Sequence, residues 1–153
     1  MKTEHNWKLI FNSISDPVMI LSLDNRILSA NPAAVKASKL SEEKLQGKYC
    51  FKVFHNSDCP VYKCPFEKLK KSKQPEATEM EVKAFDKIYQ VTISPILNKQ
   101  GRMVNCIHIA NDITEYKNTC NKLLKKIEEL IKYYKIAGMD YKLKKTTEEI
   151  QKL

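Results

Sequence analysis

Four residues within one short stretch carry ligand chemistry: Cys50, His55, Cys59 and Cys64. Three thiols and an imidazole form a donor set suited to zinc or to an iron–sulfur cluster. Residues 49–54 read as a helical turn or two, and at about 100° per residue this sets Cys50 and His55 about 140° apart around the axis. Both reach one metal only if the helix ends between them. Cys50 shares a face with Val53 and Phe54, which also suits a small buried hydrophobe. Cys64 stands at the N-cap position before Pro65 and beside Lys63, where helix dipole and cation both lower a thiol pKa, and Cys59 is close enough in sequence to be its disulfide partner. Three readings stand: inert structural thiols, a metal or cluster site of Cys50, His55, Cys59 and Cys64, or a redox pair of Cys59 and Cys64. His5 and His108 have no comparable neighbours and read as solvated or packed.

The elements that must position this stretch follow from hydrophobic period and turn chemistry. Trp7, Ile10, Phe11 and Ile14 recur at helical spacing, so residues 1–14 form a capping helix ended by Ser15-Asp16-Pro17. Residues 18–23 and 26–30 are strand-like and flank Asp24-Asn25, a pair suited to a tight hairpin. Asn31-Pro32 opens a helix to about Lys39, and Ser41 caps a second one over 42–46 that Gly47 ends. Beyond the cysteine-bearing loop, Pro65 opens a helix running to a lysine-rich end near Lys73. Residues 77–85, 88–97 and 102–111 are three strands, with Asp86-Lys87 and 98–101 as turns. Pro95 would interrupt a central ladder, so it belongs at a bulge or strand end. The three glycines, Gly47, Gly101 and Gly138, all fall at joints.

At Asn111-Asp112-Ile113-Thr114-Glu115 the period changes. Apolar residues alternate before it, as in a strand; after it Ile113, Tyr116, Cys120, Leu123, Ile127, Leu130, Tyr134 and Ala137 repeat in steps of three and four, a helical seam. Asp112 followed by Glu115 is an Asp-led capping box at the helix start. The expected organisation is a core over residues 15–112, an amphipathic coiled-coil helix over 113–137 and a helical or disordered tail over 138–153. The fold class is α+β: a five-stranded antiparallel sheet with short helices on one face, a pocket between them, and a C-terminal helix.

Composition bounds the function. The chain of 153 residues carries a net charge of +9, spread over both halves as a solvated lysine-rich surface, and no helix-turn-helix or aromatic platform accompanies it, so nucleic acid is not an expected partner. The longest apolar run, residues 17–23, is too short for a bilayer, and the N-terminus has no cleavable signal pattern, so a cytoplasmic, membrane-free protein is expected. An odd count of five cysteines then favours reduced thiols or a ligand site over a disulfide framework. There is no Ser-His-Asp set, no acid pair at convincing spacing and no phosphate-cradling glycine loop, which argues against an enzyme.

Over roughly residues 5–117 the sequence resembles a PAS domain. The likeness rests on Asp16-Pro17-Val18, Asn31-Pro32-Ala33-Ala34, Gly47-Lys48, Ser94-Pro95-Ile96, Gly101-Arg102 and above all Asp112-Ile113-Thr114-Glu115, similar to the Asp-Ile-Thr-Glu end where the last PAS strand passes into a signalling helix. Cys50, Phe54-His55, Cys59 and Cys64-Pro65 resemble a cysteine pattern of sensor-kinase PAS domains, with the last two cysteines spaced more widely here. Gly47-Lys48-Tyr49-Cys50-Phe51-Lys52 does not match the Asn-Cys-Arg-Phe-Leu-Gln run of flavin-binding light sensors, so that cofactor is not expected. The resemblance implies a sensory module of a two-component type, coupling a small organic ligand, haem, metal, iron–sulfur or redox change to the helix through Asp112, Ile113, Thr114 and Glu115. It also implies a homodimer through that helix and a histidine kinase or regulator as partner, with the chain either a fragment of a longer sensor or acting on a separate protein. The alternative is a ligand-free interaction adaptor.

Overall fold

The computed structural model describes residues 4–82 and 86–136, which fall into two compact units dividing between Thr114 and Glu115. In chain order the elements are α1 (Glu4–Ser13), β1 (Val18–Ser22), β2 (Ile27–Ala30), α2 (Pro32–Ser38), α3 (Glu42–Leu45), α4 (Cys50–His55), α5 (Pro65–Ser72), β3 (Glu76–Val82), β4 (Lys87–Leu97), β5 (Met103–Asp112) and α6 (Thr114–Ile136). The five strands form one antiparallel sheet in the order β2-β1-β5-β4-β3. This is the expected α+β architecture.

Local chemistry explains the joints. Asn25 takes the left-handed backbone its side chain tolerates, with φ 68°, and turns β1 into β2. Asn31 is fully buried and uses every polar atom of its amide. Its Oδ1 accepts from the Val18 N–H at 3.0 Å and the Ala34 N–H at 2.9 Å, while Nδ2 donates to the Ile14 and Asp16 carbonyls at 3.0 and 2.9 Å. One side chain thus caps α2 and pins the approach to β1. Ser41 occupies the N-cap position of α3 but makes no side-chain cap bond; the expected cap is positional only.

Pro95 lies inside β4, paired opposite Cys106 of β5, and not at a strand end. The ladder tolerates it because β3 pairs with β4 only as far as Ile93. Beyond that residue β4 has a free edge, where the missing N–H costs nothing. The register does shift nearby, between Ile96 and Leu97.

The main core gathers Met19, Leu21, Ile27, Leu45, Phe66, Leu69, Ile93 and Cys106. Full burial of each large apolar side chain contributes about 1.5–3 kcal/mol, so α3 through Leu45 and α5 through Phe66 and Leu69 are held to the sheet. A smaller cluster of Val82, Tyr89 and Val91, with Met80 and Ala110 beside it, lies across β3, β4 and β5. In α1 only Phe11 of the apolar set is buried, while Trp7 and Ile10 are exposed.

Helix α6 carries the predicted seam, with Tyr116, Leu123 and Leu130 exposed at 66%, 58% and 54%. Ala137, Gly138 and the expected tail lie outside the described residues. Among the described residues no helix is long and apolar enough to cross a membrane.

Candidate functional site

Between the helices and the sheet lies a cavity of about 50 Å³. Its floor is the sheet, through Met19 and Leu21 of β1, Met80 and Val82 of β3, Tyr89, Val91 and Ile93 of β4, and His108 and Ala110 of β5. Cys50, Phe51, Phe54 and His55 of α4 form its roof, and Cys64, Pro65 and Phe66 close one end. The lining is almost wholly apolar. An apolar cavity of about 150 Å³ holds one benzene, so this one has room for a few heavy atoms. Drug-sized ligands occupy several hundred Å³, which leaves haem or flavin no space without repacking.

The fold keeps three of the four predicted residues, Cys50, His55 and Cys64, on the wall of this cavity and leaves Cys59 outside it. Cys50 and His55 are the first and last residues of α4, which runs unbroken between them, about 140° apart around its axis. Cys59 is exposed and held in a local turn, its N–H donating to Ser57 Oγ at 3.3 Å while that hydroxyl donates to the Cys59 carbonyl at 2.8 Å. Among the described residues no group of three or more His, Cys, Asp or Glu side chains is arranged to hold a metal ion.

The thiol chemistry also differs from expectation. Burial pushes the Cys64 thiol above its ordinary pKa, against the lowering expected from helix dipole and cation. Desolvation of a thiolate outweighs the dipole of a helix this short, and the Lys63 ammonium sits 5.6 Å over the Tyr62 ring. Burial first, then the neighbouring Cys64, pushes Cys50 up to about 12. Cys64 is therefore a protonated, weakly nucleophilic thiol, and all five cysteines are free.

Two residues that spacing had not joined to the site belong to its wall or margin. Cys106 is fully buried, donates to the Leu21 carbonyl at 3.7 Å, and is pushed up to about 12 by burial and then by Cys50. His108 lines the cavity; its Nδ1 is shut from solvent and has no hydrogen-bond partner among the described residues. Burial, followed by the nearby His55, lowers its pKa to about 4, so the ring is neutral at pH 7. The signal in the sequence was the alternation Cys106, His108, Ala110, which sets all three on one face of β5.

Next to this pocket, β4 holds the start of α6. The Ile88 N–H donates to Thr114 Oγ1 at 2.9 Å, and the Ile113 N–H donates to the Ile88 carbonyl at 2.9 Å. Asp112 Oδ1 accepts the Thr114 hydroxyl at 2.6 Å and the Thr114 N–H at 3.0 Å, and its other oxygen pairs with the Lys87 ammonium. Burial alone would raise the Asp112 pKa, but Lys87 and Thr114 outweigh it and hold the carboxyl below its ordinary value. Asp112 thus accepts the first free amide of α6, as expected of it, while its second oxygen is held by Lys87.

A family model for the PAS domain matches residues 15–115. No curated protein matches the sequence. Among solved structures, the chain is similar to an RNA-binding light-oxygen-voltage receptor at 16% identity and TM-score 0.69, covering 86% of this chain and 38% of that one. The PAS domain of nitrogen regulation protein NR(II) from Vibrio parahaemolyticus matches at 19% identity and TM-score 0.57, over 69% of this chain and 96% of that one. A sensory box sensor histidine kinase from Vibrio cholerae matches at 17% and 0.56, over 74% and 93%. At these identities the structural likeness speaks for the fold, and the family match over most of the first unit says whose fold it is: the chain belongs to the PAS domain family.

Proposed function

We propose that this chain is a sensory signal-transduction module in which the state of the pocket is passed to α6, and through it to a second copy or a signalling partner such as a histidine kinase. One observation carries the reading. Strand β4 both lines the pocket, through Tyr89, Val91 and Ile93, and clasps the first residue of α6 through Ile88. A shift of β4 reaches Ile113 and Thr114 through one hydrogen bond to each, with no intervening loop to absorb it. The names of two similar structures, a nitrogen regulation protein and a sensor histidine kinase, fit an output of this kind. Of the stimuli the sequence suggested, a small ligand is best supported, because among the described residues no three ligating side chains are arranged to hold a metal ion and burial raises the Cys64 thiol. The exposed seam of Tyr116, Leu123 and Leu130 suits a parallel dimer through α6.

The test fills the cavity and reads the helix. In a Cys59→Ser background, Ala110→Leu should change disulfide crosslinking at Cys120 at least twofold, and Asp112→Ala with Thr114→Ala should abolish that response. Unchanged crosslinking when the cavity is filled would refute the coupling. Light scattering on the whole chain and on a chain ending at Thr114 tests the dimer, which the truncation should lose. The small volume of the cavity favours a second reading, a ligand-free adaptor whose pocket is filled by its own side chains; in that case filling it further would leave Cys120 unmoved.

A further inference from the structure

Apart from the apolar cavity, an open cleft of about 460 Å³ lies between α2 and the ends of β4 and β5, a volume in the range of about 300–1,000 Å³ that small-molecule sites occupy. The fold gathers charge there from segments distant in sequence: Lys36 and Lys39 from the end of α2, Lys87 from the start of β4, Asp16 before β1 and Asp112 at the end of β5. The Asp112 carboxylate is committed to Lys87 and Thr114. Lys36, Lys39 and Asp16 enter no ion pair among the described residues. We infer that this cleft is a binding site for a free α-amino acid with an aliphatic side chain, its carboxylate held by Lys36 and Lys39 and its ammonium by Asp16. The site goes beyond the cavity coupling above and rests on that reading only for its effect on α6.

The sign and placement of the charges select that class. The carbonyl end of α2 offsets about half a charge, and two ammoniums stand beside it, so Lys36 and Lys39 leave a positive excess that a carboxylate completes. A simple anion would serve the lysines and meet Asp16 at like sign. A simple cation would meet three ammoniums. A zwitterion gives each sign a partner. Pro17, Ala33, Ala37 and Tyr89 supply the apolar part of the lining, against which an aliphatic side chain leaves water. Exposed ion pairs contribute little each, which sets the expected dissociation constant on the order of a millimolar. The consequence for α6 runs through Lys87. Its ammonium has three donors, and a carboxylate in the cleft competes with Asp112 for them, loosening the carboxylate that accepts the Thr114 hydroxyl.

The experiment is a titration of the ¹⁵N-labelled full chain, at constant ionic strength, with L-valine and its two half-molecules: 3-methylbutanoate, which lacks the ammonium, and isobutylammonium, which lacks the carboxylate. Valine should give saturable amide shifts at Lys36, Lys39, Lys87 and Thr114 at millimolar concentration, with both half-molecules at least fivefold weaker. Lys36→Gln with Lys39→Gln, and separately Asp16→Asn, should each weaken valine at least fivefold. Both changes suit the fold, since Lys36 and Lys39 are exposed and Asp16→Asn keeps the backbone carbonyl that Asn31 bonds. Lys68→Gln with Lys71→Gln, exposed lysines of α5 outside the cleft, should leave binding unchanged. Shifts that do not saturate, 3-methylbutanoate binding as well as valine, full binding in Asp16→Asn, or an equal loss in the α5 variant would each overturn the assignment. The Cys120 response to Ala110→Leu involves none of these charged groups, so the cavity reading and this one fail separately.

Discussion

Replacing Thr114 with valine removes one hydroxyl, keeps the shape of the side chain, and tests whether that hydroxyl couples β4 to α6. The Thr114 hydroxyl has one proton, and the 2.6 Å bond to Asp112 Oδ1 takes it in preference to the 3.5 Å contact with the Ile88 carbonyl. Its lone pair receives the Ile88 N–H at 2.9 Å. In the valine variant that half-buried amide loses its partner, which costs about 1–3 kcal/mol, and the charge-assisted bond to Asp112 is lost as well. Asp112 retains Lys87 and the Thr114 N–H, so the carboxylate is not stranded. The expected destabilisation is about 2 kcal/mol, or about 4–8 °C in Tm for a chain of this size. Thr114→Ser, which keeps the hydroxyl, should stay within about 0.5 kcal/mol of the parent. Urea unfolding followed by circular dichroism measures both. If valine and serine are equally tolerated, the hydroxyl does not hold the junction and the coupling argument loses its physical basis.

His108 predicts a pH dependence of opposite origin to that of the carboxylates. Its folded pKa of about 4 lies below the ordinary 6.5, so above pH 6.5 there is no proton-linked cost, and as pH falls and the unfolded chain takes up the proton the fold loses stability. The loss levels off near pH 4 at about 3 kcal/mol; His108→Phe should remove most of this slope between pH 6.5 and 4.5, with a residue left by His55, whose pKa burial also lowers, and an identical slope in the variant would exclude His108 as its source. Asn31→Ala should be the most damaging of these changes, at about 3–5 kcal/mol by urea titration, because it leaves the Val18 and Ala34 amides and two carbonyls without their partner. A loss below about 1 kcal/mol would mean that water replaces the amide.

The elements were legible because their signals are local. Asn31-Pro32, Pro65 and Asp24-Asn25 each specify a helix start or turn by local chemistry, and α2, α5 and the β1–β2 turn stand where those residues put them. Pro95 was misjudged for a non-local reason: whether a proline harms a strand depends on the length of its neighbour, and β3 happens to stop opposite Ile93. The Asp112 cap was legible in part, since Asp112 does accept the first free amide of α6. Spacing supplied a partner three residues away, but Lys87, twenty-five residues distant, is brought alongside by the pairing of Tyr89 with Asp112 and competes for the same carboxylate.

The site was harder to read than the fold, because its chemistry depends on depth. Sequence proximity joined Cys50, His55, Cys59 and Cys64; three of them do line the cavity while Cys59 stays exposed, and the sheet brings Cys106 and His108 from β5 to the interior. The same depth reverses the electrostatics: at the surface, an N-terminal helix position and a neighbouring lysine would have made Cys64 acidic, but burial raises it. What β5 contributes also unites the two halves of the proposed mechanism. His108 lies in the strand that ends at Asp112, four residues from the carboxylate that receives Thr114. β5 thus runs from the cavity wall to the helix cap, while β4, on the same wall, holds the cap's other side through Ile88. Both strands that meet at Thr114 line the same cavity, so under the proposed coupling a change in how β4 and β5 sit against each other would reach α6 at that junction.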